Sequence, residues 1–375
     1  MNPFQHGVVV SGKNFCPRPD LLRELRAHMG AQQNCVIRGG RRMGKTSAVL
    51  EGIRLQRRAG CVLVNCWGKS SPATLAEAIA ESFLAYQSRR GLSLKRILGG
   101  FAQLRPQATM DPVTGQPSFS VDLTGGRKFA PKSLDRVLDP IGEEGRAHPL
   151  VVVFDEFQAL MQMEESEAVV ATLRGSIQMQ PHVTYFYLGS VRNLMDALFN
   201  DPRQPFFKSA ASVVVGPIER DIFSVYLREK FRTGRRRVSD GALTMIFDLA
   251  RDITGDVQQL CSAIWNGTDK GCEIGEDEVR QGLARIHQTE NESNMRIIDL
   301  LTPGQVKVLF GLAKVGGGQP TSKTFLEASG VGQPSSVTKA IFRLEREGLI
   351  HRDADGYQFF SPFFRTWLLA HGPVA

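Results

Sequence analysis

Eight residues, Gly39-Gly40-Arg41-Arg42-Met43-Gly44-Lys45-Thr46, meet the pattern G-x-x-x-x-G-K-[ST] at each fixed position. Apolar Cys35-Val36-Ile37 precedes them and Ser47-Ala48-Val49-Leu50-Glu51-Gly52-Ile53 follows, which predicts strand, loop and helix in that order. Glycines let the loop curl until successive N–H groups point at one phosphate, and the helix N-terminus adds the positive end of its dipole. Lys45 then reaches the β- and γ-phosphates as a point charge, and the Thr46 hydroxyl ligates Mg²⁺. The chemistry this stretch is suited to is the gripping of a nucleoside triphosphate.

Two further stretches carry groups suited to the same chemistry. Leu150-Val151-Val152-Val153-Phe154 is a continuous apolar run ending in Asp155-Glu156, the pattern of a buried parallel strand whose carboxyl end meets the nucleotide. On the strand neighbouring the phosphate loop, Asp155 would hold Mg²⁺ through water and Glu156 would polarise the attacking water. Val183-Thr184-Tyr185-Phe186-Tyr187-Leu188-Gly189 ends in Ser190, which either touches the γ-phosphate or lytic water, or caps a helix from Val191 to Phe199.

These residues need a scaffold, and the composition allows one. A chain of 375 residues exceeds one ordinary core, so two or three domains are expected. The balance of 42 % hydrophobic and 22 % charged residues is that of a soluble globular protein. No run reaches the length of a membrane span and the N-terminus lacks a signal pattern, so a cytoplasmic location without membrane partners is expected. Six cysteines without a C-x-x-C pair read as buried free thiols. A formal charge of +8 points to polyanionic partners, nucleotide or nucleic acid.

Taken in order, residues 2–20 are rich in turn formers, and Asp20 is placed to cap an amphipathic helix with Leu21, Leu22 and Leu25 on one face. This segment stands where nucleotide switches hold the base, or serves as a tether. Strands at 35–37, 61–66, 150–154, 183–190 and 210–216 alternate with helices, which predicts a doubly wound parallel sheet over residues 1–217. One helix is expected from Gln158 to Ile177, and a β-hairpin with its turn at 111–117 is inserted at about 105–125. Beyond Pro217 the strands stop, and amphipathic helices over 218–295 suggest a lid. Residues 296–375 read as three helices and a wing with Asp355-Gly356 at its turn, a winged helix-turn-helix. Its third helix carries Lys339, Arg343 and Arg346, and Arg352 opens the wing; all four suit phosphates of double-stranded DNA. Such modules also serve protein contacts.

The order of these parts resembles the archaeal-type ATPase family, a branch of the AAA+/STAND P-loop nucleotide switches. The likeness is carried by Asn2-Pro3-Phe4, Gly7, Phe15 and Arg18, by Gly40 to Ser47, and by Asp155-Glu156-Phe157-Gln158. It continues in Gly189-Ser190, Pro205-Phe206-Phe207 and Pro362-Phe363-Phe364-Arg365-Thr366-Trp367-Leu368. The resemblance implies that Gly39 to Ser47, with Arg41, Arg42 and Met43 among them, bind Mg-ATP, and that Phe4, Phe15 and Arg18 frame the adenine. It implies that Asp155 and Glu156 support hydrolysis, with Ser190 as sensor. Gln258 stands where related ATPases place a lid arginine, so an arginine finger would come from Arg203 or Arg192 of a neighbouring subunit in a homo-oligomer. The implied role is an ATP-driven switch, working with DNA in transposition, replication or defence, or with a protein partner as a signalling scaffold.

Overall fold

The computed structural model describes residues 1–57, 59–91, 106–110, 117–121, 129–190, 192–353 and 355–372. The chain divides into two compact units, Val9–Pro217 and Met1–Val8 with Ile218–Ala375.

The first unit is built on five parallel strands: β1 (Cys35–Arg38), β2 (Gly60–Asn65), β5 (Leu150–Asp155), β6 (Val183–Gly189) and β7 (Ala211–Val214), in the lateral order β2-β5-β6-β1-β7. The interior strands β5 and β6 are apolar along almost their whole length because helices cover both faces, whereas edge strand β7 buries only Val213. Expected on the strand beside the phosphate loop, Asp155 is in fact one strand further away, since β6 pairs with both β1 and β5. Register brings the carboxyl ends to one edge: Arg38 lies opposite Gly189 and Val214, and Asn65 opposite Asp155.

Two local readings change. Helix α1 spans Pro19–Gly30 with Pro19 in its first turn, so Arg18 takes the cap position expected of Asp20. The expected helix from Gln158 splits into a 3-10 turn, Phe157–Gln162, and a helix, Ser166–Gln178. Buried Phe157, in ring contact with Tyr187, Phe199 and Phe206, ties down the short turn, and Glu165 at φ 56° breaks the path. In the inserted hairpin, β3 (Pro106–Met110) pairs antiparallel with β4 (Pro117–Val121); residues 111–116 of its turn lie outside the described residues.

The second unit is helical. Strands do not wholly stop at Pro217, for Arg237–Val238 pairs in parallel with Glu273–Ile274. The helix Glu276–Asp299 runs straight through the expected boundary at 295, so lid and winged helix are one compact body. Helices Pro303–Val315, Lys323–Ser329 and Pro334–Arg346 precede the hairpin Ile350–Asp353 with Gly356–Phe359, and Pro362–His371 closes the core. Thr302 and Gln305 form a reciprocal capping box at the first of these. The first eight residues, expected with the sheet, belong here. Phe4 packs against Phe231 at 4.6 Å and Trp265 at 6.0 Å between ring centroids, and the Asn2 amide donates to the Ser262 hydroxyl and Asn266 Oδ1, each at 2.9 Å. All six cysteines are unpaired. Among the described residues no helix is long and apolar enough to cross a membrane.

Candidate functional site

The phosphate loop leaves β1 at Arg38 and enters helix α2 (Lys45–Leu55) at Lys45. Gly44 takes φ 84°, a left-handed conformation that suits glycine, and Arg42 takes φ 61°. At Gly39 the constraint is space: a Cβ there would lie 2.4 Å from the Val215 carbonyl oxygen. The loop curls around its own lysine, whose Nζ donates to the carbonyls of Gly39 and Gly40, both at 3.0 Å. Burial pulls the Lys45 pKa below the ordinary lysine value, opposed by the charges of Glu156 and Asp155. A buried cation resting only on neutral carbonyls fits an anionic ligand.

Across the intervening strand, the Thr46 hydroxyl donates to Asp155 Oδ2 at 2.7 Å, and Asp155 Oδ1 accepts from the Glu156 backbone N–H at 3.0 Å. The structure thus joins the two groups expected to hold Mg²⁺, and a hydroxyl beside a carboxylate is the oxygen-donor pair this hard cation takes. Burial raises the Asp155 pKa, with the Thr46 hydrogen bond opposing. Glu156 sits in the left-handed region at φ 53°, where the chain turns from strand into the 3-10 turn. Its Oε2 accepts from the Ser190 hydroxyl at 2.8 Å and from the Gln158 amide. Ser190 therefore holds the candidate base. Gln158, 3 % exposed, is a participant that residue-by-residue reading passed over; its signal was a second amide donor two residues after the glutamate.

Around the loop, the segment before α1 is stitched to it. The buried Arg18 guanidinium donates to the Met43 carbonyl at 2.8 Å and the Gly216 carbonyl at 2.7 Å, and burial lowers its pKa to about 10. The Val10 N–H donates to the Ser47 hydroxyl at 3.1 Å, and the Gly12 N–H to Glu51 Oε2 at 2.9 Å. Phe15 is half-buried and packs against the apolar cluster under α1 and α2. Phe4 has both its ring contacts, with Phe231 and Trp265, inside the helical unit. Arg41 lies over the ring of exposed Trp67 at 5.7 Å. Arg203 stands in solvent, paired with Asp201 of its own loop at 2.8 Å, and the Arg192 side chain lies outside the described residues.

In the helical unit, Lys339, Arg343 and Arg346 are exposed on Pro334–Arg346, whose buried face is Val337, Ala340, Ile341 and Leu344. Arg352 is exposed on the wing and lies over the Tyr357 ring at 5.7 Å.

Residues 293–370 match the family model described as "Probable winged helix domain". No curated protein matches the chain. Among solved structures, the Walker-type ATPase of Pyrococcus abyssi superposes with a TM-score of 0.66 at 18 % identity, over 95 % of this chain and 97 % of that one. The ORC1 protein of Aeropyrum pernix in complex with DNA gives 0.51 at 14 % identity, over 95 % and 93 %. The ORC2 protein of the same organism, in ADPNP and ADP complexes, gives 0.52 at 13 % identity, over 94 % and 91 %. The chain shares the fold of these structures, and its C-terminal part is a winged helix.

Proposed function

We propose that this chain is a Mg²⁺-dependent ATPase that works as a conformational switch and acts on double-stranded DNA through its winged helix. The observation that carries the reading is the 2.7 Å hydrogen bond from Thr46 to Asp155, which joins the phosphate loop to the acidic strand end across β6. The names of similar structures agree with it: one is a Walker-type ATPase, one was solved with DNA and one with adenine nucleotides. Each name describes that protein; what brings it to this chain is the local chemistry.

Loop amides and Lys45 grip the triphosphate, the lysine exchanging its two carbonyl acceptors for phosphate oxygens. Thr46 and Asp155 would hold Mg²⁺, which would supply charge neutralisation at the β- and γ-phosphates. Glu156 takes the proton of the attacking water at its carboxylate. Ser190 and Gln158 both donate to the same Glu156 carboxylate oxygen, so one of these donors gives way before that oxygen takes the proton of the water. Arg18 donates to both the Met43 carbonyl and the Gly216 carbonyl, and so ties the loop to the end of the sheet unit's sequence. An arginine from a neighbouring copy, Arg203 or Arg192, would complete the site in an oligomer.

The test is nucleotide binding and turnover in the full chain. Lys45→Ala should abolish ATP binding; Glu156→Gln should bind ATP normally and hydrolyse it at least about 100-fold more slowly. Normal turnover by Glu156→Gln would remove glutamate from the role of base, and unchanged ATP affinity in Lys45→Ala would remove the cradle altogether.

A further inference from the structure

The helix before the wing carries one large apolar side chain in water. Phe342 is 63 % exposed, although Val337, Ala340, Ile341 and Leu344 of the same helix are buried. At 3.6 residues per turn, Ser335, Lys339, Phe342 and Arg346 fall along one line of the helix surface, with Thr338 and Arg343 on either side of it. All six are exposed. Lys339, Arg343 and Arg346 make no ion pair among the described residues, whereas exposed arginines elsewhere do: Arg280 holds Glu276 and Asp277, and Arg220 holds Asp248 and Asp252. Three cations without an ion pair around a solvated aromatic ring suit a partner that is polyanionic at its rim and apolar inside, and Glu345 and Glu347 lie off the line that Lys339, Phe342 and Arg346 share.

The major groove of duplex DNA has that pattern: phosphates line its edges and the 5-methyl group of thymine projects into it. Helix Pro334–Arg346 follows Lys323–Ser329 as the second helix of the helix-turn-helix, the element that enters the groove in this architecture. We propose that Phe342 is the specificity-determining residue of the DNA interface, its ring packing on thymine methyl groups while Lys339, Arg343 and Arg346 hold the flanking phosphates. This rests on the DNA-binding reading above and adds to it which residue reads sequence and what it reads.

The experiment uses the full chain. Duplexes enriched from a random pool by the wild type are compared with those enriched by Phe342→Ala, and affinities are measured by fluorescence anisotropy across a salt series. The wild type should enrich a thymine-containing core, and replacing that thymine by uracil, which lacks only the methyl, should weaken binding about fourfold. Phe342→Ala should lose both the enrichment and the uracil effect while keeping its salt dependence. Lys339→Ala should weaken all duplexes alike and lower the salt slope by about one. Phe342 is solvent-exposed, so its truncation leaves the fold intact. If Phe342→Ala enriches the same core with the same uracil penalty, the ring does not read thymine and the inference fails while DNA binding stands. If the wild type binds no duplex at about 50 mM salt, the DNA reading itself fails and takes this inference with it. Capture of a protein partner abolished by Phe342→Ala, with duplex selection unchanged, reassigns the ring to a protein contact and overturns the inference.

Discussion

Asp155 shows how a single side chain balances binding against stability. Burial raises its pKa, and the hydroxyl of Thr46 and the N–H of Glu156 offset that in part. A carboxyl whose folded pKa lies above its unfolded value stabilises the fold at low pH, and that contribution is lost as pH rises through the folded pKa. At neutral pH the ionised Asp155 is therefore a cost to the nucleotide-free protein. Asp155→Asn should accordingly raise the melting temperature of the metal-free chain at pH 7. The gain should shrink toward zero as pH falls through the folded pKa, where the wild type is neutral too. Differential scanning fluorimetry over a pH series without Mg²⁺ checks this; a variant less stable than wild type at pH 7 would show that the hydrogen bonds outweigh the burial. The two acids were legible at this scale because they end an apolar run. The grip of Ser190 and Gln158 on Glu156 was not, since it depends on where a left-handed residue at 156 sends the chain.

Elements are where reading the sequence succeeds and fails for separable reasons. Buried parallel strands are unbroken apolar runs, so all five strands of the main sheet were legible, whereas the break in the helix expected from Gln158 was not. Their lateral order was not, because nothing in Leu150–Asp155 specifies which strand lies beside it, and β6 stands between the acids and the phosphate loop. The ladder of Arg237–Val238 with Glu273–Ile274 is too short to leave a pattern. Crowding at the loop also follows from element placement, since β7 runs beside β1 and brings the Val215 carbonyl against Gly39. Gly39→Ala must displace backbone, and should cost about 1–3 kcal/mol of stability and weaken nucleotide binding. Gly40→Ala meets only the flexible Met43 side chain, nearest at 3.6 Å, and is tolerated sterically. Urea unfolding and nucleotide titration of the pair separate the two; equal effects would mean that any methyl group in the loop is disruptive.

For the whole molecule, the least legible feature was which unit the first residues join. Asn2-Pro3-Phe4 carries no periodicity, and its partners Phe231, Ser262 and Trp265 stand more than 220 residues away in the chain, where loop-closure entropy hides any local signal. The chain crosses between its units twice, near Val8 and near Pro217, so the helical unit is assembled from segments on both sides of the sheet unit's sequence. Phe4 is 4 % exposed, and Phe4→Ala leaves a cavity beside Phe231 and Trp265 worth about 3–5 kcal/mol. That loss should fall on one unit. Hydrogen exchange of the full-length variant should show faster amide exchange in Arg220–Arg232 and Thr254–Asn266, with protection of Leu150–Asp155 and Val183–Gly189 unchanged. Equal loss in both regions would show that the chain unfolds as one cooperative body; no loss in the helices would show that the N-terminal segment merely rests on their surface. Loss confined to the helices makes the N-terminal residues a structural part of the helical unit, although Val10 and Gly12, which follow them in the chain, bond to the helix that begins at Lys45.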